Sequence, residues 1–427
     1  MQAFSKLKIA AGLRPRLQNL CTTSKMAQTP AAGDAEGPKE QYSVAKELHL
    51  PMNVPRKLLL GPGPSNAPPR ILAASALPLL GHLHPEFLKV MHDITSGLQY
   101  AFQTTNKLTL AISGTGHAGM EAAMMNIAER GETILVANKG LWGVRMADLA
   151  DRMGINAPTI TKPMGEAFTL EDIKKGLEEH KPSVFLITHG ESSSGVCQPL
   201  EGIADLCHSH NCLFLVDTVA ALGGVPLYVD KWGIDVVYSG SQKVIGAPPG
   251  TAPISFSPRA QEKMSQRKTR VPSFYFDMAE LGNYWGCDAG PARYHHTGPI
   301  SSMYALREGL GMLADEGLES YWKRHKECAE MLHAGLEKMG LTLYVKDKGL
   351  RLPTVTTVEV PDGIDWKEAA VFVMGKYKIE IAGGLGASAG KVWRIGLMGH
   401  NAYPDNVRLV LRALEDAINH CRDKAQL

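Results

Sequence analysis

Three short segments contain residues whose types and spacing could bind a phosphorylated ligand and act on it. The first is residues 114–119, GTGHAG, which lies between a predicted strand and a predicted helix. Its glycines let the backbone approach a ligand, and a helix N-terminus offers free N–H groups to an anion. The letters also fit a dinucleotide fingerprint, but that site needs an acidic residue after the next strand, where the chain has Asn138. The segment therefore favours a single small phosphate.

Asp217 and Lys243 form the second and third signals, since each follows a predicted strand. Asp217 ends the apolar run LFLVD, and Lys243 follows DVVYSG in the segment SGSQK. Taken alone, Asp217 equally suits a helix cap or an ion pair, and most lysines lie on surfaces. A carboxylate at a strand end can also keep the pyridine nitrogen of pyridoxal phosphate protonated, and a desolvated lysine amine can attack its aldehyde. The order of cradle, acid and lysine predicts a pyridoxal phosphate site with Lys243 as the catalytic residue.

The elements that must position these residues alternate between apolar runs and helical stretches. The predicted strands are TLAIS, TILVAN, SVFLIT, LFLVD, DVVYSG and APISFS. Several are apolar almost throughout, as expected for a mostly parallel sheet with helices on both faces. After about residue 300, helices are predicted at 301–318, 321–339 and 404–421, with the short strands TVTTVEV and KVWRIGL between the last two. This pattern predicts an α/β fold followed by a smaller α+β domain.

Longer stretches resemble the class V aminotransferases of fold type I, and most closely the alanine–glyoxylate (serine–pyruvate) aminotransferases. They are LLLGPGPSN, SGTGHAGMEAA, LWG, THGESSSGV, LVDTVAALGG, YSGSQKVIGAPPG, YHHT, RLPTVTTV, GGLG and KVWRIG, and they extend from about residue 57 to about residue 414. The resemblance implies a large domain at 57–315 with a mostly parallel, seven-stranded sheet, and a small C-terminal domain at 316–427. It also implies pyridoxal phosphate as the cofactor and the conversion of alanine and glyoxylate to pyruvate and glycine, with serine–pyruvate transamination as a further activity.

The resemblance also assigns cofactor contacts to individual residues. Lys243 resembles the Schiff-base lysine, and Asp217 matches the acid that pairs with the pyridine nitrogen. Trp142 looks like the aromatic residue stacked on the cofactor ring. Ser192 matches the hydroxyl near the phenolic oxygen, and Val219 matches the apolar contact on the other ring face. The phosphate-binding set matches Thr115, Gly116, His117 and Gln242.

Three further residues match positions that complete such a site. Tyr294 and Thr297, in YHHT, resemble residues that reach the phosphate from a neighbouring subunit, which implies a homodimer with shared active sites. Arg394 matches the arginine that binds the substrate carboxylate. The residue type supports this, because an unpaired guanidinium on an apolar strand is costly and a carboxylate offers it a bidentate partner. Small amino acids and 2-oxo acids are therefore the expected binding partners.

Other functions remain as alternatives. A same-family aminotransferase could use a different keto-acid acceptor. A cysteine desulfurase needs an exposed loop cysteine, whereas Cys328 and Cys421 lie in predicted helices. A nicotinamide-dependent oxidoreductase would leave Lys243 unexplained, and a non-catalytic scaffold would leave the whole set unexplained. The adjacent His295 and His296 have no carboxylate at helical spacing and do not predict a metal site.

Composition and the chain ends bear on partners and location. The formal net charge of +2 and the lack of a basic stripe argue against nucleic acid as a binding partner. The sequence also lacks an apolar run of the roughly 18 residues that a membrane-spanning helix needs. Residues 1–33 contain five basic and no acidic residues, so 1–26 predicts a mitochondrial targeting segment, followed by a flexible arm at 27–56. The location expected is therefore the mitochondrial matrix. Met26 offers an alternative start, and the ending AQL loosely resembles a peroxisomal signal, which leaves a peroxisomal share open.

Overall fold

The structure of the protein, a computed structural model, describes residues 44–425. The predicted targeting segment, most of the predicted arm and the end of the AQL tail lie outside these residues. The chain divides into residues 1–55, most of which lie outside the described range, and one compact unit, 56–427. In the first, the described residues form one exposed 3-10 turn, Lys46–His49. Among the described helices, none combines the length and the apolar character needed to cross a membrane.

The second unit alternates strands and helices along most of its length. The strands are β1 (Leu58–Leu59), β2 (Leu108–Ser113), β3 (Ile134–Asn138), β4 (Thr159–Thr161), β5 (Val184–Thr188), β6 (Gly190–Glu191), β7 (Val196–Cys197), β8 (Leu213–Asp217), β9 (Val236–Tyr238), β10 (Thr251–Phe256), β11 (Val355–Glu359), β12 (Ile379–Glu380), β13 (Ala382–Gly383) and β14 (Val392–Gly396). The helices are α1 (Pro69–Ser75), α2 (Pro85–Phe102), α3 (Gly116–Ile127), α4 (Leu141–Arg152), α5 (Leu170–His180), α6 (Ile203–Ser209), α7 (Pro258–Ser265), α8 (Met278–Tyr284), α9 (Ile300–Glu316), α10 (Leu318–Lys338), α11 (Trp366–Tyr377) and α12 (Pro404–Ala425).

A seven-stranded sheet in the order β2-β10-β9-β8-β5-β3-β4 forms the centre of the described unit. Its strands are parallel except β10, which is antiparallel to β2 and β9. Both β5 and β8 are buried at every residue. Their apolar sequences predicted this burial, because helices cover both faces of such a sheet. The predicted fold class is confirmed. The reversed direction of β10 and the short, half-exposed β4 were not predicted.

The register of this sheet brings polar residues together at one edge. Thr188 at the end of β5 pairs with Asp217 at the end of β8, and Asp217 pairs in turn with Tyr238 at the end of β9. Because the three strands are parallel, their carboxyl ends open onto one crevice, the usual ligand position in such sheets. Lys243 follows β9 by five residues and therefore lies at the same edge.

The C-terminal part has its own antiparallel sheet, in the order β11-β14-β13, with α10, α11 and α12 packed beside it. Its hydrophobic core is separate from the one around the large sheet. β1 pairs in parallel with β12, so Leu60 belongs to this second core although it lies near the start of the unit. The chain therefore passes from the small core directly into the segment that covers Lys243. The predicted boundary at 315/316 stays a prediction.

Candidate active site

A cavity of about 500 Å³ lies at the carboxyl edge of the parallel strands. Its lining comprises Thr115, Gly116, His117, Met120, Trp142, Gly190, Ser192, Asp217, Val219, Ala220, Gln242 and Lys243. All the predicted cofactor-binding residues are present in this set except Tyr294 and Thr297. A larger and more open groove of about 950 Å³ runs past Arg267 and Arg270, but none of the predicted residues lines it. The chemistry therefore points to the smaller cavity.

Lys243 lies under the loop that joins β1 to α1. Its amine donates a hydrogen bond to the carbonyl of Pro62, and Ser65 holds its backbone through a 2.6 Å bond from Oγ to the Lys243 carbonyl. Gly63 has a φ of +112°, and a Cβ built there would lie 2.6 Å from Lys243 Cδ, so a larger residue would strain the backbone and displace the lysine side chain. Burial, reinforced by the positive charge of Arg394, lowers the pKa of the amine to about 8. Near neutral pH a useful fraction of Lys243 is therefore neutral and nucleophilic.

Asp217 is a buried carboxylate held by neutral donors. Oδ1 accepts from the backbone N–H of Val219 at 2.8 Å, and Oδ2 accepts from the hydroxyl of Tyr238 at 2.8 Å. Burial raises its pKa to about 6, although both hydrogen bonds act in the opposite direction. Such a carboxylate is costly to bury unless a cation joins it. A protonated pyridine nitrogen in the cavity would be a suitable partner.

The aromatic wall of the cavity is formed by Trp142, near the start of α4. Its indole N–H donates to Ser192 Oγ at 2.8 Å, and its ring meets that of His117 edge-on at 5.5 Å. Val219 lines the same cavity and lies close to the α3 backbone, since a Cβ on Gly116 would be 3.2 Å from Val219 Cγ2. A flat ring would therefore meet apolar or aromatic surface in this cavity.

The phosphate-binding segment is the start of α3. Thr115 is the residue before the helix, and its side chain makes no capping hydrogen bond. The free N–H groups of this 12-residue helix and the Thr115 hydroxyl are thus available to an anion. Gln242 also lines the cavity, and its side-chain NH2 group can donate a hydrogen bond to a phosphate oxygen. Together with the lysine and the buried acid, this donor set fits pyridoxal phosphate.

Arg394 reaches the site from β14. Its side chain is buried, with Nε donating to the Gly383 carbonyl at 2.8 Å and Nη1 donating to the Ser192 carbonyl at 3.2 Å. Burial lowers its pKa, and the negative charge of Glu191 partly compensates. Both hydrogen bonds of the guanidinium go to backbone carbonyls and none to a described carboxylate, so it retains the capacity to bind the carboxylate of a substrate.

Tyr294 and Thr297 do not reach this cavity within one chain. Tyr294 is 59% exposed, with its ring 5.0 Å from that of His82, and Thr297 is also exposed. Their exposure is compatible with the predicted contribution to a neighbouring subunit, which stays a prediction.

Several contacts at the site were not predicted. Tyr238, Pro62 and Gly63 occur inside motifs quoted above, but their contacts with Asp217 and Lys243 depend on side-chain direction and loop conformation. Lys139 was also missed, although a lysine directly after an apolar strand resembles the signal used for Lys243. It is buried, and burial lowers its pKa to about 8.

Comparisons of the sequence and of the fold with known proteins agree with the motifs and the site geometry described above. Residues 64–408 match the model of the family Aminotransferase class-V. The chain belongs to the class V aminotransferases, as the motif resemblance predicted.

Within that family, the chain is similar to proteins named alanine–glyoxylate aminotransferase. The one from Callithrix jacchus is 54% identical over 379 residues, which cover 89% of this chain and 92% of that protein. A crystal structure of the enzyme of that name from Nostoc sp. superposes with a TM-score of 0.85 at 47% identity, over 88% of this chain and all of that one. The (S)-ureidoglycine–glyoxylate transaminase of Bacillus subtilis is 35% identical, over 84% of this chain and 90% of that protein.

Proposed function

We propose that the protein binds pyridoxal phosphate on Lys243 and transfers an amino group from alanine to glyoxylate, giving pyruvate and glycine. One observation carries the proposal: three residues meet at one edge of the cavity. They are Lys243, whose lowered pKa leaves part of its amine uncharged, the buried acid Asp217, and Arg394, which pairs with no described carboxylate. Relatives about half identical over nearly the whole chain are named for this reaction, which supports the choice of substrates.

Each residue then has a defined task. When bound, the cofactor supplies the aldehyde that captures the substrate amine and a ring that accepts negative charge. The Lys243 amine, which would hold the cofactor, would also move the proton at the substrate Cα, a general acid–base contribution of about 10²–10⁴-fold. Asp217 keeps the ring nitrogen protonated, and Arg394 orients the substrate carboxylate. Thr115, His117 and Gln242 hold the phosphate.

The lining of the cavity favours substrates with small, uncharged side chains. Among the described residues that line it, Lys243 and His117 are the only ones with basic side chains, and the guanidinium of Arg394 lies beside it. No arginine is among the lining residues, so the lining itself offers no guanidinium to a side-chain carboxylate. Desulfurase chemistry has no support here, since no described cysteine lines the cavity and burial raises the pKa of Cys197 to about 12.

We also propose a homodimer in which Tyr294 and Thr297 complete the phosphate site of the partner. The exposed apolar ring of Phe274 stacks on His295, next to Tyr294 in the chain, and supports an association surface there. Import into mitochondria, with a peroxisomal share, is proposed from the basic, acid-free residues 1–33 and the AQL ending. Fluorescent fusions at either end of the chain, in cells with both organelles marked, test this location.

Isotope transfer tests the proposed reaction. Purified protein loaded with pyridoxal phosphate is incubated with ¹⁵N-alanine and a choice of glyoxylate, pyruvate or 2-oxoglutarate, with ¹⁵N-serine as the second donor. Mass spectrometry should find the label in glycine when glyoxylate is present. Label found only in another product amino acid would reject glyoxylate as the acceptor while leaving the aminotransferase intact.

A further inference from the structure

Helix α4 begins directly after β3 and carries Trp142 in its first turn, yet it has no capping side chain of its own. The residue before the helix is Gly140, in an extended conformation. Helices normally satisfy their first N–H groups with a Ser, Thr, Asp or Asn side chain at this position. The N-terminus of α4 is close to the cavity, so its capping affects where Trp142 lies.

The missing cap is supplied by residues 191–193, in the segment that follows β5. Ser193 Oγ accepts the backbone N–H of Leu141 at 3.0 Å and donates to Glu191 Oε1 at 2.6 Å. The N–H of Ser193 donates to the same carboxylate oxygen at 3.0 Å. A Cβ on Gly140 would lie 2.5 Å from both Ser193 Oγ and the Glu191 carboxyl carbon. Gly140 therefore permits an approach that any side chain would block.

The middle residue of this segment contacts both groups expected to handle the ring and the substrate. Between Glu191 and Ser193, the Ser192 hydroxyl accepts the indole N–H of Trp142, and the Ser192 carbonyl accepts from Arg394 Nη1. A shift of this segment would therefore move the aromatic wall and the guanidinium together.

Glu191 is a fully buried carboxylate, and charges on neighbouring elements face it. Lys139, from the end of β3, and Arg394, from β14, bring positive charge, while Asp217 adds negative charge. The Lys139 ammonium is itself held by the carbonyl and hydroxyl of Thr188, at 2.6 and 2.8 Å. Buried acids persist when a nearby cation and hydrogen bonds offset the loss of water.

We propose that Glu191 and Ser193, with Lys139 as the counter-charge, are positioning residues that cap α4 from outside and so hold Trp142 and Ser192 against the cofactor. The inference rests on the proposed function to the extent that pyridoxal phosphate occupies the cavity. None of the three residues needs to touch the reacting atoms. Loss of the cap should weaken cofactor binding and change the environment of the cofactor ring. Both effects should exceed those of a control substitution that lowers the stability of the fold elsewhere.

Glu191→Ala, Ser193→Ala and Glu191→Gln test the cap, and Asp172→Ala is the matched control. Asp172 belongs to the capping box of α5, with Thr169, and neither residue lines the cavity. The readouts are the thermal midpoint of the cofactor-free protein, the Kd for pyridoxal phosphate and the visible circular dichroism of the bound form. Glu191→Ala and Ser193→Ala should raise the Kd about tenfold or more and reduce the visible dichroism. Glu191→Gln keeps an acceptor for Ser193, so its Kd for pyridoxal phosphate and its visible dichroism should both stay close to those of the wild type.

Asp172→Ala should lower the thermal midpoint and leave the Kd and the dichroism unchanged. Glu191→Ala and Ser193→Ala variants that match Asp172→Ala in all three readouts would overturn the inference and leave the proposed function intact. Wild-type protein that binds no pyridoxal phosphate would overturn the proposed function first. Ser193→Ala removes one hydroxyl, so it serves if Glu191→Ala does not fold.

Discussion

Replacing Asp217 with asparagine should have opposite effects on the cofactor-free and cofactor-bound protein. Burial raises the pKa of Asp217 from 3.8 to about 6. Folding therefore favours the protonated carboxyl group of Asp217. The stability that this group contributes is complete below about pH 4 and is lost as the pH rises through about 6. Two pKa units correspond to about 3 kcal/mol, which the ionised carboxylate costs the folded protein at pH 7.5. Asp217→Asn removes this cost, in which the two opposing hydrogen bonds are already included, so the free energy of unfolding should rise by about 3 kcal/mol.

With pyridoxal phosphate bound, the same substitution removes the partner of the pyridinium. Two opposite charges about 4 Å apart attract by about 4 kcal/mol at an effective dielectric constant of 20. A loss of this size corresponds to about a thousandfold in rate. Tyr238→Phe is the matched control, because it removes the 2.8 Å hydrogen bond to Asp217 but keeps the charge. It should reduce kcat by about tenfold or less.

Urea unfolding of both cofactor-free proteins at pH 7.5, and kcat for alanine with glyoxylate, measure the two effects. A destabilised cofactor-free Asp217→Asn protein would show that the carboxylate is stabilised by contacts other than those seen here. An Asp217→Asn enzyme that retains more than about a tenth of wild-type kcat would refute its assigned role.

Three further predictions concern the cationic residues. Lys243→Ala should abolish the visible band of lysine-bound cofactor and lower kcat by about 10⁴-fold or more, as single-turnover spectra would show. Because the pKa of Lys243 is lowered to about 8 and the neutral amine is the nucleophile, the rate of cofactor capture by the cofactor-free protein should rise with pH and level off above about 8; a flat stopped-flow profile between pH 6 and 9 would contradict this. Arg394→Lys keeps the charge but loses the planar fork, so KM for alanine and for glyoxylate should each rise about tenfold; steady-state kinetics with an unchanged KM for both would remove Arg394 from substrate binding.

The sheet and its reactive edge could be predicted because the signals are local. Runs such as LFLVD are apolar throughout, which predicts buried parallel strands, and the side chains after such strands meet at one edge. Asp217 and Lys243 were found in this way from residue type and order alone. Roles such as that of Trp142 needed the family resemblance, since an isolated tryptophan is usually a core residue.

The unpredicted features depend on contacts between distant segments. The cap on α4 joins residues about 50 apart in the chain, and neither Gly140 nor Glu191 has a local pattern that reveals it. The contact of Pro62 with Lys243 spans 181 residues. β4 was missed because its residues lie at the sheet edge and are partly exposed, so they lack the apolar run that marked the other strands.

The visible spectrum of the purified protein, recorded with pyridoxal phosphate and then after additions of alanine and glyoxylate, tests whether Lys243 binds the cofactor and whether these two substrates react there. We expect a yellow band from cofactor bound to Lys243, which alanine bleaches and glyoxylate restores. A band that alanine bleaches but only other keto acids restore would reject glyoxylate and keep Lys243. Absence of any band in cofactor-supplied protein would contradict the assignment of Lys243 itself.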